Sequence, residues 1–156
     1  AAPGVYTAAP AVLELYAAGR ENGIVVGCGA QCTYAVLLHE GLADVRTQLR
    51  SDVAGEALTA WTAKLLATGP DGHALDARLA ARAKESLAHC AADADGTTKA
   101  AATQFELPDG KKLNVSPQTR SQMSEPLFQP TLVGEVCGGL PQLVAECIRG
   151  RDRDGA

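Results

Sequence analysis

Aromatic residues make up only 4% of this 156-residue sequence. That scarcity excludes a core built on stacked rings and leaves small and branched aliphatic side chains to fill it. No apolar run nears the roughly 20 residues of a membrane span, and the N-terminus lacks the charged, apolar and cleavage regions of a signal peptide. Both absences lead us to expect a soluble, cytoplasmic protein with no membrane partner. An excess of positive charge is missing too. The net charge is −4, and Lys and Arg are scattered without the basic stripe that neutralises phosphates along nucleic acid, so no direct nucleic-acid contact is expected. Paired CxxC cysteines are absent. Cys28, Cys32, Cys90, Cys137 and Cys147 are an odd number dispersed through apolar segments, and are predicted to be free buried thiols in a reducing compartment. His39, His73 and His89 have no ligand-like spacing to Cys28 and Cys32, so no metal site is expected.

What is present is one domain's worth of chain, long enough to bury roughly two-thirds of its unfolded surface. Apolar residues are 46% of it, many of them alanine, which suits dense helix packing. The spacing of Val12, Leu13 and Tyr16 predicts a helix over Thr7 to Ala18, ended by Gly19-Arg20, with Pro10 tolerated in its first turn. Gly23 to Val26 and Thr33 to Leu38 read as strands of a hairpin around Gly27-Cys28-Gly29. Ser51 and Asp52 are placed to cap a helix running to Thr68, stopped by Gly69-Pro70, with Trp61 as a core anchor. A longer helix is predicted over Ala74 to Ala92, with Leu75, Leu79, Ala83 and Leu87 inward. Asp93 to Lys99 reads as a loop. A second hairpin, Thr103 to Leu107 and Lys111 to Val115, turns at Pro108-Asp109-Gly110. Ser116-Pro117 opens a short helix, and a final helix covers Leu140 to Arg149 before a charged tail. The element order is mixed α/β.

Three passages carry a family likeness. Ala11 through Arg20, followed by Gly23-Ile24-Val25-Val26, resembles the hinge helix and next strand of actin. Val53-Ala54-Gly55 with Leu58-Thr59 is similar to the segment that enters the smaller subdomain of actin's large lobe. Glu106-Leu107-Pro108-Asp109-Gly110, then Glu125 and Leu127-Phe128-Gln129-Pro130, is the most specific in order and spacing. The chain thus resembles the large lobe of actins and actin-related proteins. The resemblance implies an α/β, ribonuclease-H-like ATPase fold that is incomplete, one lobe only. Residues 1–50 and 136–156 would form part of subdomain three, and residues 51–135 the subdomain-four insert. The wider superfamily of sugar kinases and heat-shock chaperones shares that fold, but the Glu-Leu-Pro-Asp-Gly and Leu-Phe-Gln-Pro passages favour actin.

The resemblance also sets expectations for the site. The second phosphate loop of actins falls on Gly27-Cys28-Gly29-Ala30-Gln31. Acids that would hold hydrated magnesium are replaced at Gly27 and Ala30, and Cys28 replaces a hydroxyl donor. The two positions that orient the hydrolytic water fall on Pro10 and Tyr34. Proline has no polar side chain, and a tyrosine hydroxyl is a poor base at neutral pH. No hydrolysis is therefore expected, and no catalytic residue is assigned. Gly55, Lys84 and Glu85 fall on the adenine and ribose contacts, so Gly27, Gly29, Gly55, Lys84 and Glu85 are expected as vestigial or weak ATP contacts. ATP and magnesium are expected only in a longer parent protein. The residues from Thr131 to Pro141, with Leu132, Val133, Val136 and Leu140, correspond to the actin loop that enters neighbouring subunits.

Two functions follow from these readings. One is an actin-like cytoskeletal or assembly protein with a degenerate nucleotide site, binding other actin-like subunits or assembly proteins. The alternative is an ATP-binding actin-related protein of which this chain is a large-lobe fragment. The expected location is the cytoplasm and cytoskeleton, with the nucleus as a second compartment.

Overall fold

A computed structural model describes residues 3–69, 72–90 and 102–152, with side chains to residue 150. The chain opens with α1 (Pro10–Ala17), whose first helical residue is the proline, where a missing N–H costs nothing. Strands β1 (Gly23–Cys28) and β2 (Thr33–His39) pair antiparallel, from Gly23 opposite Leu38 to Cys28 opposite Thr33. Beyond β2 the sheet gains β3 (Leu42–Ala43) and β4 (Leu49–Ser51), both antiparallel to β2. The β2–β3 turn is the two-residue Glu40-Gly41, with φ of 50° and 74°. This is the left-handed geometry that suits the twist of a tight hairpin.

Both faces of the sheet are covered. One packs Val25, Val36 and Leu38 under Ala11 and Leu15 of α1. The other packs Ala35, with Ile24, Leu37 and Leu49 beside it, under Leu143 and Cys147 of α5 (Leu140–Asp152). Double coverage explains why β2 is a continuous apolar run and does not alternate. The second half of the described chain builds a separate core. Here α2 (Gly55–Thr68), α3 (Ala77–Leu87), the hairpin β5 (Thr103–Glu106) and β6 (Lys112–Val115), and α4 (Pro117–Gln122) enclose Leu66, Ala83, Leu87, Leu107, Leu113, Val115 and Met123. Two short 3₁₀ turns, Glu125–Leu127 and Pro130–Val133, lead from α4 toward α5.

Several expectations change. The helix expected from Ser51 and Asp52 begins at Gly55, with Ala54 at its N-cap and no capping side chain. Ser51 instead ends β4 and accepts from Val53 N, and Asp52 pairs with Arg50. The helix predicted from Ala74 starts at Ala77, because Asp76 accepts from Leu79 N at 2.7 Å and fixes the start. It ends at Leu87, and residues 91–101, including the predicted loop at Asp93 to Lys99, lie outside the described residues. The final helix runs past Arg149 to Asp152. Trp61 is no core anchor. It is half-buried, outside the buried clusters, and its indole N–H donates to Gln122 O at 2.8 Å. All five cysteines are free, but only Cys147 is buried. Among the described residues Cys28, at the end of β1, and Cys90 and Cys137, outside helices and strands, are exposed. Burial pushes the Cys147 thiol above its usual range.

Candidate functional site

The β1–β2 hairpin brings its tip, residues 29–31, against the start of α2. Gly29 N donates to Cys32 O at 2.9 Å, which tightens the turn and turns the next carbonyls outward. Those carbonyls meet the open end of the helix. Gly55 N donates to Gly29 O at 3.0 Å, and Glu56 N donates to Ala30 O at 2.7 Å. A helix start that has no capping side chain is thus capped by backbone from 26 residues upstream. Gly55 is glycine because the contact is close: a Cβ there would lie 3.1 Å from Gly29 O and 3.3 Å from Ala30 Cα. Thr33 reinforces the junction from beneath, its buried Oγ1 donating to Val53 O at 2.8 Å.

Lys84 closes the arrangement from α3. Its Nζ donates to Gly55 O at 2.9 Å and to Thr59 Oγ1 at 3.0 Å, while Thr59 Oγ1 itself donates to Gly55 O. Charge-assisted bonds of this kind contribute about 1.5–3 kcal/mol each when sheltered. Lys84 therefore ties α3 to the first turn of α2. Glu85, its neighbour, is exposed on the outer side of α3 and takes no part in this network. The pair expected to act together is divided by helix geometry, since adjacent helical residues point about 100° apart.

The other expected positions gather on the α1 face of the sheet. Tyr34 lies opposite Gly27 in the β1–β2 register, and its ring covers the Gly27 Cα so closely that a Cβ would collide with it. The Tyr34 hydroxyl donates to Glu14 Oε1 at 2.8 Å, joining sheet to helix. Pro10, Cys32, Tyr34, Gln48 and Arg50 line a cleft of about 250 Å³ beyond the N-terminus of α1. Arg50 is also engaged with Asp52, at 3.1 Å. The fold thus unites Pro10 with Tyr34, and Gly29 and Ala30 with Gly55 and Lys84, as two neighbouring clusters on one hairpin.

Burial and the Glu14 hydrogen bond, with the charge of that carboxylate, push the Tyr34 phenol up to about 12. A raised folded value favours the neutral phenol. Its contribution is fully present below the ordinary tyrosine range near 10 and is lost as pH rises through about 12. Tyr34→Phe is expected to cost about 0.5–1 kcal/mol at neutral pH, the value of a largely exposed hydrogen bond. Between about pH 10 and 12 the wild-type protein should lose stability faster than the variant, read from urea unfolding at stepped pH. Equal alkaline slopes would remove Glu14–Tyr34 as a strut.

The family model for actin matches residues 1–76. Over this stretch, just under half of the chain, the protein is similar to actin. The matched residues contain α1, the four-stranded sheet with its β1–β2 hairpin, and α2 with Gly55. Lys84, Glu85 and the Glu106 to Pro130 passages lie beyond the match. Sequence reasoning on actin positions singled out Pro10, Gly27, Gly29, Ala30 and Tyr34, which lie on or against the β1–β2 hairpin, and Gly55 and Lys84, which meet at the start of α2. It missed Glu14, Thr33 and Thr59. Thr59 carried a signal, standing four residues after Gly55 on the same helix face. Thr33 and Glu14 carried none, because their partners come from 20 residues away. Among the described residues, no group of three or more His, Cys, Asp or Glu is placed to hold a metal. Among them, too, no helix is long and apolar enough to cross a membrane.

Proposed function

We propose that this actin-like chain is a cytoskeletal or assembly component in which the phosphate loop serves as a helix cap and no longer as a nucleotide cradle. The observation that carries the reading is the use of the donors. A triphosphate needs backbone N–H groups aimed at it, yet Gly29 N is committed to Cys32 O, and the first two N–H groups of α2 are committed to Gly29 O and Ala30 O. The same loop, residues 27–31, contains no carboxylate for hydrated magnesium. Lys84 spends its ammonium on Gly55 O and Thr59. Pro10 and Tyr34 offer no neutral-pH base for a water. These residues do not fit a magnesium-bound nucleotide, and no hydrolysis is assigned to them.

The chain on this reading is one incomplete lobe, acting in the cytoplasm through contacts with other actin-like subunits or assembly proteins. The contact surface is the segment from Thr131 to Pro141. Leu132 is 37% exposed on the 3₁₀ turn Pro130–Val133, and Val136 is 98% exposed just past the left-handed Gly134 that ends that turn. One observation favours the alternative of an ATP-binding actin-related protein represented here by a fragment. Gly55 and Lys84, both expected at the adenine side, stand 2.9 Å apart.

Calorimetric titration of magnesium-ATP separates the two readings. No binding heat and no phosphate release are expected. Tight, magnesium-dependent binding would overturn the assembly reading in favour of the alternative.

A further inference from the structure

Helix α2 carries two stripes. Leu58, Thr62 and Leu66 are buried and face the second core. Ala57, Ala60, Trp61 and Lys64, at spacings of three, four and seven, form another stripe that no element of the described fold covers. Opposite them stand Leu132 and Val133 on the 3₁₀ turn Pro130–Val133, and the two walls enclose a groove of about 580 Å³. We infer that this groove binds a short amphipathic helix of a partner protein, two to three turns long. Its apolar face would seat on Trp61, with an acidic residue at the Lys64 end and a basic residue at the Glu135 end. This goes beyond the assembly reading: it adds the face of α2 and shares only the near side of the Thr131 to Pro141 segment with the subunit surface, and it holds whether or not nucleotide binds.

Three features select a helix. The stripe has the i, i+3, i+4, i+7 repeat of a helix-packing seam, and its first two members are alanines that let a second helix axis approach to about 8 Å. The stripe spans seven residues, about 10 Å at the α-helical rise, which two turns match. An extended peptide would need an open strand edge to hydrogen-bond. Neither wall has one, since α2 satisfies its own backbone and the 3₁₀ turn uses Leu132 N on Gln129 O and Gly134 N on Thr131 O. Both walls are preformed, so little ordering opposes docking. The indole of Trp61 is pinned by its N–H bond to Gln122 O, which orients the ring as a fixed anchor of the type that dominates interfaces.

The charges set the partner's direction. Cys137 Sγ lies 3.7 Å from Ser51 Oγ, so the far end of the loop sits by the start of α2, and Glu135 lies at that end with Asp52. Lys64 marks the other end, its ammonium 5.5 Å from the Trp61 ring centroid. Among the described residues neither Lys64 nor Glu135 has an ion-pair partner. A groove with one acidic and one basic end discriminates between opposite peptide orientations.

The test uses the full chain, whose one tryptophan is Trp61, so its emission reports the groove directly. The probe is an alanine-based helical peptide of about 12 residues. It carries leucines along one face, lysines in its first turn and glutamates in its last. A blue shift saturating with Kd on the order of 10 μM is expected. A peptide with lysines at both ends should bind about tenfold more weakly, and Lys64→Glu should restore much of that loss. Ala60→Arg, a change at an exposed helical position that leaves far-UV circular dichroism intact, should abolish the shift by filling the groove. The proposal fails if no shift appears up to about millimolar peptide, if the two peptides bind equally, or if Ala60→Arg binds like the wild type.

Discussion

Gly139→Ala should lower the stability of the protein by about 3 kcal/mol, a melting-temperature drop of about 6–12 °C for a domain of this size. The reason is a backbone collision. A Cβ on Gly139 would overlap the carbonyl of Phe128, with the Phe128 carbonyl carbon at 2.7 Å and its Cα at 3.0 Å. A flexible side chain in the way would swing aside, but the Phe128 backbone is held by Phe128 N donating to Glu125 O at 2.9 Å. Gly139 O also accepts from Leu143 N at 3.0 Å, so the collision falls where α5 begins. Thermal unfolding followed by circular dichroism measures the loss. Gly134→Ala is the informative comparison. Nothing lies within 4 Å of a Cβ there, and only its φ of 86° opposes a side chain, so about 1 kcal/mol is expected. If both variants lose the same amount, left-handed strain and not the Phe128 contact governs this segment. The outcome bears on the proposed subunit surface, because Gly139 anchors the loop that presents Val136.

Met123→Ala is expected to cost about 2–5 kcal/mol, the range for truncating a fully buried side chain in a packed core. Met123 is completely buried in the second core, in one cluster with residues from α2, α3, β5, β6 and the turn after β5. None of the first sheet's buried residues belongs to that cluster. The loss should therefore be local in its first effect. Hydrogen exchange should show α3 and β6 amides losing protection before those of β2, while urea unfolding read by Trp61 emission shifts to lower midpoint. Equal loss of protection in β2 and β6 would mean that the two cores open as one unit. The hairpin tip against α2 would then be a rigid joint and not a boundary.

Much of the fold was legible because its signals are local. Pro117 after Ser116 gives a helix start that the Ser116 side chain caps through Thr119 N, and Gly110 with φ of 80° gives the second hairpin its turn. The strands β3 and β4 were missed because two and three residues carry no readable periodicity. Their presence depends on β2 offering its second edge. The start of α2 was misplaced for a related reason. Ser51 and Asp52 have capping chemistry, but β4 pairing claims Ser51 and Arg50 claims Asp52, while the true cap arrives from the hairpin tip. Trp61 looked like core because a large apolar residue on a helical stripe usually is, yet α2 has two stripes and Trp61 lies on the outer one.

The sequence by itself determined the helix and strand types, the two hairpins and the lack of any acid in residues 27–31, since each depends on residue chemistry at short range. The tertiary structure alone decided what the carbonyls of residues 29 and 30 meet. Whether the N–H groups at the start of α2 are open to an anion or closed by Gly29 O and Ala30 O is a contact between segments 26 residues apart. Likewise, only packing could show that Lys84 reaches Gly55 while Glu85 turns away. Residue identity specifies which bonds a group is able to make, and the fold brings one of the available partners within 3 Å.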